Sequence, residues 1–437
     1  VRDLEPALDL GRFIDASPSP FHACVSAATR LGEAGFARLD EAAPWPRPTG
    51  ESAGRFVVRG GSLVAWADLP DQDASAPFRV LGAHTDSPGL RVKPRPDTGR
   101  AGVRQVAVEV YGAALTNSWL DRDLGLSGRL VVRCAGGPAE VLVLVDRPVL
   151  RIPQLAIHLD REMPTEGLKL NPQVHLVPIW DVGDPGGRGF STWLSQQAGL
   201  EPGDVLGWDL MVHDLTPAAI CGADGSLLAA GRLDNLCSAW AAVEALASYR
   251  AGGGSAMEPT PVVALFDHEE IGSTSDRGAD SSLLATVLER IVAGRGGGRE
   301  ELARALVASV CMSADMAHAT HPNYPDRHEP GHHIALNGGP VLKVNSNLRY
   351  ASDATSAAWA VLACEQAGVP LQRYTHRGDL PCGSTIGPLT AARLGMATVD
   401  VGAAQLAMHS ARETMGSADP GHYRAMMAAF LQPSRDP

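Results

Sequence analysis

The chain has 437 residues, 45% of them apolar and 20% charged, with a formal net charge of −12 at pH 7. That length exceeds what one hydrophobic core ordinarily serves, so two domains or one domain with a large insertion are expected. No apolar run is long enough to span a bilayer, and the negative balance excludes the basic surface that a sequence-independent grip on nucleic-acid phosphates needs.

The first residues, VRDLEPALDLGRFIDASPSPFHACV, carry acids from position 3 and lack the apolar core and cleavage site of a secretory leader. The cytoplasm is therefore the default expectation. Periodic apolar residues (Leu10, Phe13 and Ile14, then Val25, Ala28 and Leu31) predict helices within residues 1–55, and APWPRPTG at 43–50 cannot continue them. From Phe56 the period shortens: RFVVRGGSLVAWADL reads as a hairpin, and FRVLGAHTDSPGL as a strand leading into His84 and Asp86. Between about 100 and 230 the segments VRQVAVEVYGAAL, SGRLVVRC and AEVLVLVDRPVL are β-rich and split by Gly and Pro, with no long helical pattern. After Gly231, LDNLCSAWAAVEALASYR spaces Leu236, Trp240, Val243 and Ala247 for one helical face, and PVVALF reads as a buried strand. ALVASVCMSADMAH, AAWAVLACEQAG and MATVDVGAAQLAMHS continue that alternation. The expected fold is α/β, a mixed, mostly parallel sheet covered by helices. The β-rich stretch between about 100 and 230 reads as an inserted domain.

Seven cysteines stand singly, at 24, 134, 221, 237, 311, 364 and 382, with no CxxC pair. Neither a disulfide framework nor a thiolate zinc site is expected, so a metal would be held by oxygen and imidazole. In open α/β sheets ligands bind beyond the carboxyl ends of strands, so polar residues directly after apolar runs are the ones to collect. These are His84 with Asp86 after RVLGA, Glu269 and Glu270 after VVALF, Asp315 after LVASVCMSA, and His409 after VGAAQLAM. Asp234, in GRLDNL, stands where the long helix would begin, a position that suits a helix cap or a ligand. Singly, each has a structural alternative: Asp234 as a cap, His409 as a satisfied core histidine, the glutamate pair as a surface turn. Together they form the nitrogen and oxygen donor set expected for zinc or a similar divalent ion; manganese and cobalt also accept it.

Charge supports this grouping. Two divalent ions would bring four positive charges, matched by Asp234, Glu270, Asp315 and one bridging hydroxide. Glu269 is then free beside the bound water as general base, and Asp86, two residues beyond His84, would accept the other ring N–H and orient the imidazole. The crowding in LFDHEEIGS has a purpose on this reading, because cations relieve the repulsion.

GAHTDSPGLRVKP, GRLDNL, DHEEIGS, SADMAHATHPNYPDRHE, KVNSNLRYASD, PCGSTIGP and QLAMHSARE resemble, in order and over nearly the whole chain, the aspartyl aminopeptidase family of di-metal exopeptidases. The resemblance implies His84 and Asp315 on one metal, Glu270 and His409 on the other, Asp234 bridging, and Glu269 as general base. It implies a zinc-exopeptidase-like fold with a catalytic domain of residues about 1–97 and 231–437, interrupted by a β-rich dimerisation domain at 98–230, and peptide substrates with a free N-terminus. It assigns substrate contacts to His318, Lys343, Tyr350 and His158. It further implies a tetrahedral homo-dodecamer in which a neighbouring subunit supplies the residue matching His158. Taken alone, LAIHL reads as a half-buried strand and Lys343 as a solvated strand lysine. Lys343 near a pocket floor would pair with an acidic N-terminal side chain. Leu348 departs from the pattern, standing where a polar residue is expected before the Arg-Tyr pair. The alternatives are a broad or neutral-residue aminopeptidase on the same metal core, a related deacylase or carboxypeptidase, and an inactive self-assembling shell protein with structural metal.

Overall fold

The computed structural model describes residues 3–47, 53–69, 71–184, 186–187, 189–250 and 255–432, so residues 48–50 of the Pro-rich loop lie outside them. The chain divides into two units: Val1–Asp86, Ala218–Met408 and Thr414–Pro437 form the first, and Ser87–Pro217 with His409–Glu413 the second. Among the described residues no helix is long and apolar enough to cross a membrane.

The first unit is built on a nine-stranded sheet. From one edge its strands are Ala37–Arg38, Ala53–Arg59, Ser62–Asp68, Thr260–Phe266, Phe78–His84, Val310–Ala314, Ala397–Gly402, Val341–Val344 and Gln372–Thr375. The four strands from Thr260–Phe266 to Ala397–Gly402 run parallel, and both faces of each are covered, which is why they read as continuous apolar runs. The predicted hairpin turns at Gly60, whose φ of +58° is one that glycine adopts without steric cost.

Alternation along the strands sorts side chains into two cores. Leu81, Ala83, Val263, Leu265, Met312 and Val399 meet the helices Glu5–Asp15, Pro20–Glu33, Leu233–Ala247, Ala354–Ala367 and Asp419–Leu431. Val80, Val262, Ala264 and Cys311 meet Leu283–Gly294, Arg299–Ala308 and Ile386–Leu394. Leu10, Phe13, Ile14 and Leu31 are buried as their spacing predicts, but Val25 is 49% exposed. The inward stripe of Pro20–Glu33 is Cys24, Ala27 and Leu31, and Val25 lies off it by one residue, about 100° around the helix. Helix Ala354–Ala367 opens on a reciprocal cap, Ser356 N–H to Asp353 Oδ1 at 2.7 Å and Asp353 N–H to Ser356 Oγ at 2.9 Å, and stops at Gly368 with φ +65°. Strands Ala219–Cys221 and Leu227–Ala230 pair with each other and belong to the first unit.

The second unit is a six-stranded antiparallel sheet ordered Gly137–Leu150, Leu124–Cys134, Val205–Asp214, Gly89–Arg100, Val103–Tyr111 and Ile179–Val182. One face packs Leu90, Val106, Leu126, Leu130 and Leu210 with Trp119, Phe190 and Trp193.

Candidate metal centre

In the first unit the parallel strands deliver their polar residues to one end of the sheet. His84 closes Phe78–His84, and Asp315 directly follows Val310–Ala314. After Thr260–Phe266 the chain turns sharply through His268 (φ +66°), the short 3-10 turn Glu269–Ile271 and Gly272 (φ +96°), which places two consecutive glutamates there. Asp234 stands at a kink near the start of its helix. It and Asn235 depart from helical geometry across a cis peptide bond, and Asn235 Nδ2 donates to Ala314 O at 2.8 Å, holding this kink beside the segment that carries Asp315.

His84 is buried at the centre of the group. Its Nε2 lies 3.3 Å from Asp234 Oδ1 and 3.8 Å from Asp315 Oδ1. Its Nδ1 lies 3.1 Å from the Asp86 carbonyl and 3.4 Å from Asp86 Oδ1. The Asp86 carboxylate also accepts the N–H of Glu269 on one oxygen and that of Glu270 on the other, both at 3.1 Å. One fully buried aspartate therefore braces an imidazole and the glutamate turn together. Ligand atoms of His84, Asp234 and Asp315 fall within 4.8 Å of one another, as do those of His84, Glu269 and Glu270.

Burial and mutual repulsion leave their mark on the acids. Burial first, then the negative charges of Asp315, Asp86 and Asp234, push the Glu269 carboxyl up to about 8, against attraction from His84. Burial and the Asp234 charge drive Glu270 well above the carboxylate range. For His84, burial disfavours the cation, but Asp234, Asp315 and Asp86 outweigh it and raise the imidazole's pKa well above the usual value. A buried anionic crowd of this kind is costly unless protons or cations neutralise it, and imidazole plus carboxylate at this spacing suits zinc. The residues present fit the ion. The group at Glu269 has its folded pKa above its unfolded one, so it opposes folding increasingly as pH rises from about 4.5 toward about 8. Zinc is therefore expected to raise the melting temperature more at pH 8 than at pH 6. An equal rise at both, in calorimetry of chelated and zinc-loaded protein, would count against this electrostatic account.

Asp267, the third acid of LFDHEEIGS, takes no part in these groupings. It is buried and paired with Arg277, whose Nε donates to its Oδ2 at 2.9 Å.

The expected substrate contacts are placed as follows. Lys343 is buried, with Nζ donating to Met316 O at 3.2 Å, 3.8 Å from Asp315 Oδ2 and 5.0 Å from the centre of the Tyr350 ring. It is not the solvated lysine its strand pattern alone suggests. Tyr350 is buried too, and burial followed by the nearby Cys382 pushes its phenol up. His318 ends the short strand Ala317–His318, 6.4 Å from the Tyr374 ring and 6.4 Å from His376. Leu348 is 64% exposed in a turn with φ +52°.

Two candidates lie in the second unit. His158 sits in the 3-10 turn Ile157–Leu159 rather than in a strand, exposed between Leu155, Ile157 and Leu159, themselves 62%, 46% and 75% exposed. His409, with φ +68°, is only partly buried; it donates its N–H to Glu413 Oε1 at 2.7 Å and has Nδ1 3.1 Å from Ala113 O. Sequence reasoning missed Asp400, fully buried inside the strand Ala397–Gly402, and the Tyr374–His376 pair, whose phenol and Nδ1 are 2.8 Å apart. The available signal for Asp400 was an acid inside an apolar strand, TVDVG.

Comparison with known proteins places this geometry in context. The family described as Aminopeptidase I zinc metalloprotease (M18) matches residues 13–431. The chain is 57% identical over 428 residues to a protein of Mycobacterium leprae described as a probable M18 family aminopeptidase 2, covering 97% of this chain and 98% of that relative. Its structure is similar to one described as the Ape4 and Nbr1 complex, with a TM-score of 0.91, 35% identity and coverage of 98% of this chain and 85% of that one. It is also similar to the S. cerevisiae mApe1 dodecamer, with a TM-score of 0.84, 28% identity and coverage of 98% and 97%.

Proposed function

The chain belongs to the M18 family of zinc metallo-aminopeptidases, and on that premise we propose that it removes single N-terminal residues from short peptides, with a preference for Asp and Glu, at a two-metal centre. The observation that carries this reading is the buried meeting of His84, Asp234 and Asp315 with Glu269 and Glu270 alongside. In the proposal His84 and Asp315 hold one ion, Glu270 and His409 the other, and Asp234 both. When bound, such ions polarise the scissile carbonyl and make water a stronger acid.

The protein's own residues do the rest. Glu269 takes the proton of the attacking water and returns it to the leaving amine, from a turn that the Asp86 carboxylate holds by its N–H. Asp86 holds the His84 ring through Nδ1 and so keeps Nε2 turned toward Asp234 and Asp315, where it would serve as a ligand. Lys343 places a buried positive charge under the substrate's side chain, which favours an acidic residue, and Tyr350 and His318 border the same space. For His158 the proposal is a role in a neighbouring subunit's site. Its exposed apolar flank supports this, because Leu155, Ile157 and Leu159 would be covered by assembly into a dodecamer.

The test is release of N-terminal residues from peptides headed by Asp, Glu, Leu, Lys or Ala, with chelator and with zinc restored. Chelation is expected to abolish cleavage and zinc to return it, with Asp and Glu fastest. N-acetylation should stop cleavage altogether. Cleavage of the acetylated peptides would point instead to a deacylase or carboxypeptidase.

A further inference from the structure

One face of the nine-stranded sheet carries a polar row. Gly82, Ser313, Asp400, Lys343 and Tyr374 are successive cross-strand partners, and residues paired in register share a face. Asp400, 0% exposed, is the hub of this row. Its Oδ1 accepts from Ser313 Oγ at 2.7 Å and Thr385 Oγ1 at 2.6 Å, and its Oδ2 from the Ala351 N–H at 2.6 Å. Its own N–H donates to Ser352 Oγ at 2.8 Å. Missing side chains make the space: a Cβ on Gly387 would stand 2.3 Å from Asp400 Oδ2, and one on Gly82 would stand 2.9 Å from Ile386 Cδ1. Helix Ile386–Leu394 can therefore settle onto the row with Thr385 as its N-cap.

The partners of Asp400 all belong to segments that reach the site. Ser313 stands two residues before Asp315, Ala351 directly follows Tyr350, and Thr385 ends the PCGST loop. Ser384 Oγ donates to Arg349 O at 3.2 Å, tying the last two segments together. Lys343 is the register partner of Asp400 on the adjacent strand, and the two charges attract. An apolar side chain could fill this position without the desolvation cost of a buried carboxylate, so the acid has a task other than packing.

We propose that Asp400 is a positioning residue for substrate binding, fixing Lys343, Tyr350 and residues 383–385 relative to Asp315 without touching the substrate. This rests on the reading of Lys343 and Tyr350 as substrate contacts. Asp400→Asn is close to isosteric and can keep an acceptor toward Ser313 and Thr385, but it sets an NH2 against the Ala351 N–H and removes the charge beside Lys343. For an acidic dipeptide the KM is expected to rise roughly tenfold, the size of one lost charge-assisted hydrogen bond, while kcat falls far less and zinc content stays the same. Because the carboxylate acts through the lysine, Asp400→Asn combined with Lys343→Met should be little worse than Lys343→Met alone. Should Asp400→Asn fail to fold, Ser313→Ala removes one donor to the same carboxylate and should raise KM in the same direction. A folded, zinc-replete Asp400→Asn enzyme with unchanged KM, or fully additive effects, would overturn the proposal. If Lys343→Met leaves KM unaltered, the reading of Lys343 fails instead. Hydrogen exchange then decides for Asp400: faster exchange at 349–353 and 383–387 in Asp400→Asn upholds positioning, and unchanged protection overturns it.

Discussion

Glu269→Gln is expected to lower turnover by about 10²–10⁴ while leaving fold and zinc content intact, the usual size of a general-base contribution. Glutamine matches glutamate in shape, so the turn Glu269–Ile271 and its backbone bonds to Asp86 should persist. The variant changes only whether position 269 can accept and return a proton. The loss should appear in kcat and in kcat/KM alike, because proton transfer belongs to the transition state and not to substrate binding. Steady-state kinetics with zinc quantified on the same preparation are the measurement. A Glu269→Gln enzyme with near-normal turnover would remove this side chain from the chemistry.

Asp86→Ala should weaken zinc binding about 10–100-fold, the range for partners that orient a ligating histidine. Here the effect has two sources. The His84 ring loses its carboxylate partner at Nδ1, and the N–H groups of Glu269 and Glu270 lose their shared acceptor. Asp86→Asn should be milder, since its amide oxygen can still accept one of those N–H bonds. Competition with a chelator of known affinity gives the zinc dissociation constants. Wild-type affinity in Asp86→Ala would mean that His84 is oriented by the Asp86 backbone carbonyl alone, 3.1 Å away.

The two variants separate the parts of the site. Glu269→Gln addresses a group that does not need to hold metal, and its phenotype should survive any zinc concentration. Asp86→Ala addresses how firmly the metal is held, so excess zinc should restore much of its activity.

What the sequence by itself determined was most of what depends on local period and on the ends of strands. Buried parallel strands show as unbroken apolar runs, so PVVALF, FRVLGAH and VASVCMSA declared both the α/β sheet and the places where polar residues emerge from it. His84, Glu269, Glu270 and Asp315 were readable because each stands at or just beyond such a run. Tertiary structure alone decided the rest, for reasons of distance along the chain and of register. Asp234 has no local signal for its neighbour His84, 150 residues away in sequence but 3.3 Å away in space. Lys343 reads as an ordinary strand lysine until pairing sets it between Asp400 and Tyr374, with its ammonium beside Asp315. His158 lies exposed in a turn and not half-buried in a strand, since LAIHL has too few residues for period to separate the two. Asp400 had only one polar letter inside an apolar strand to announce it, and its meaning lies in four partners from three other segments, which no local pattern contains.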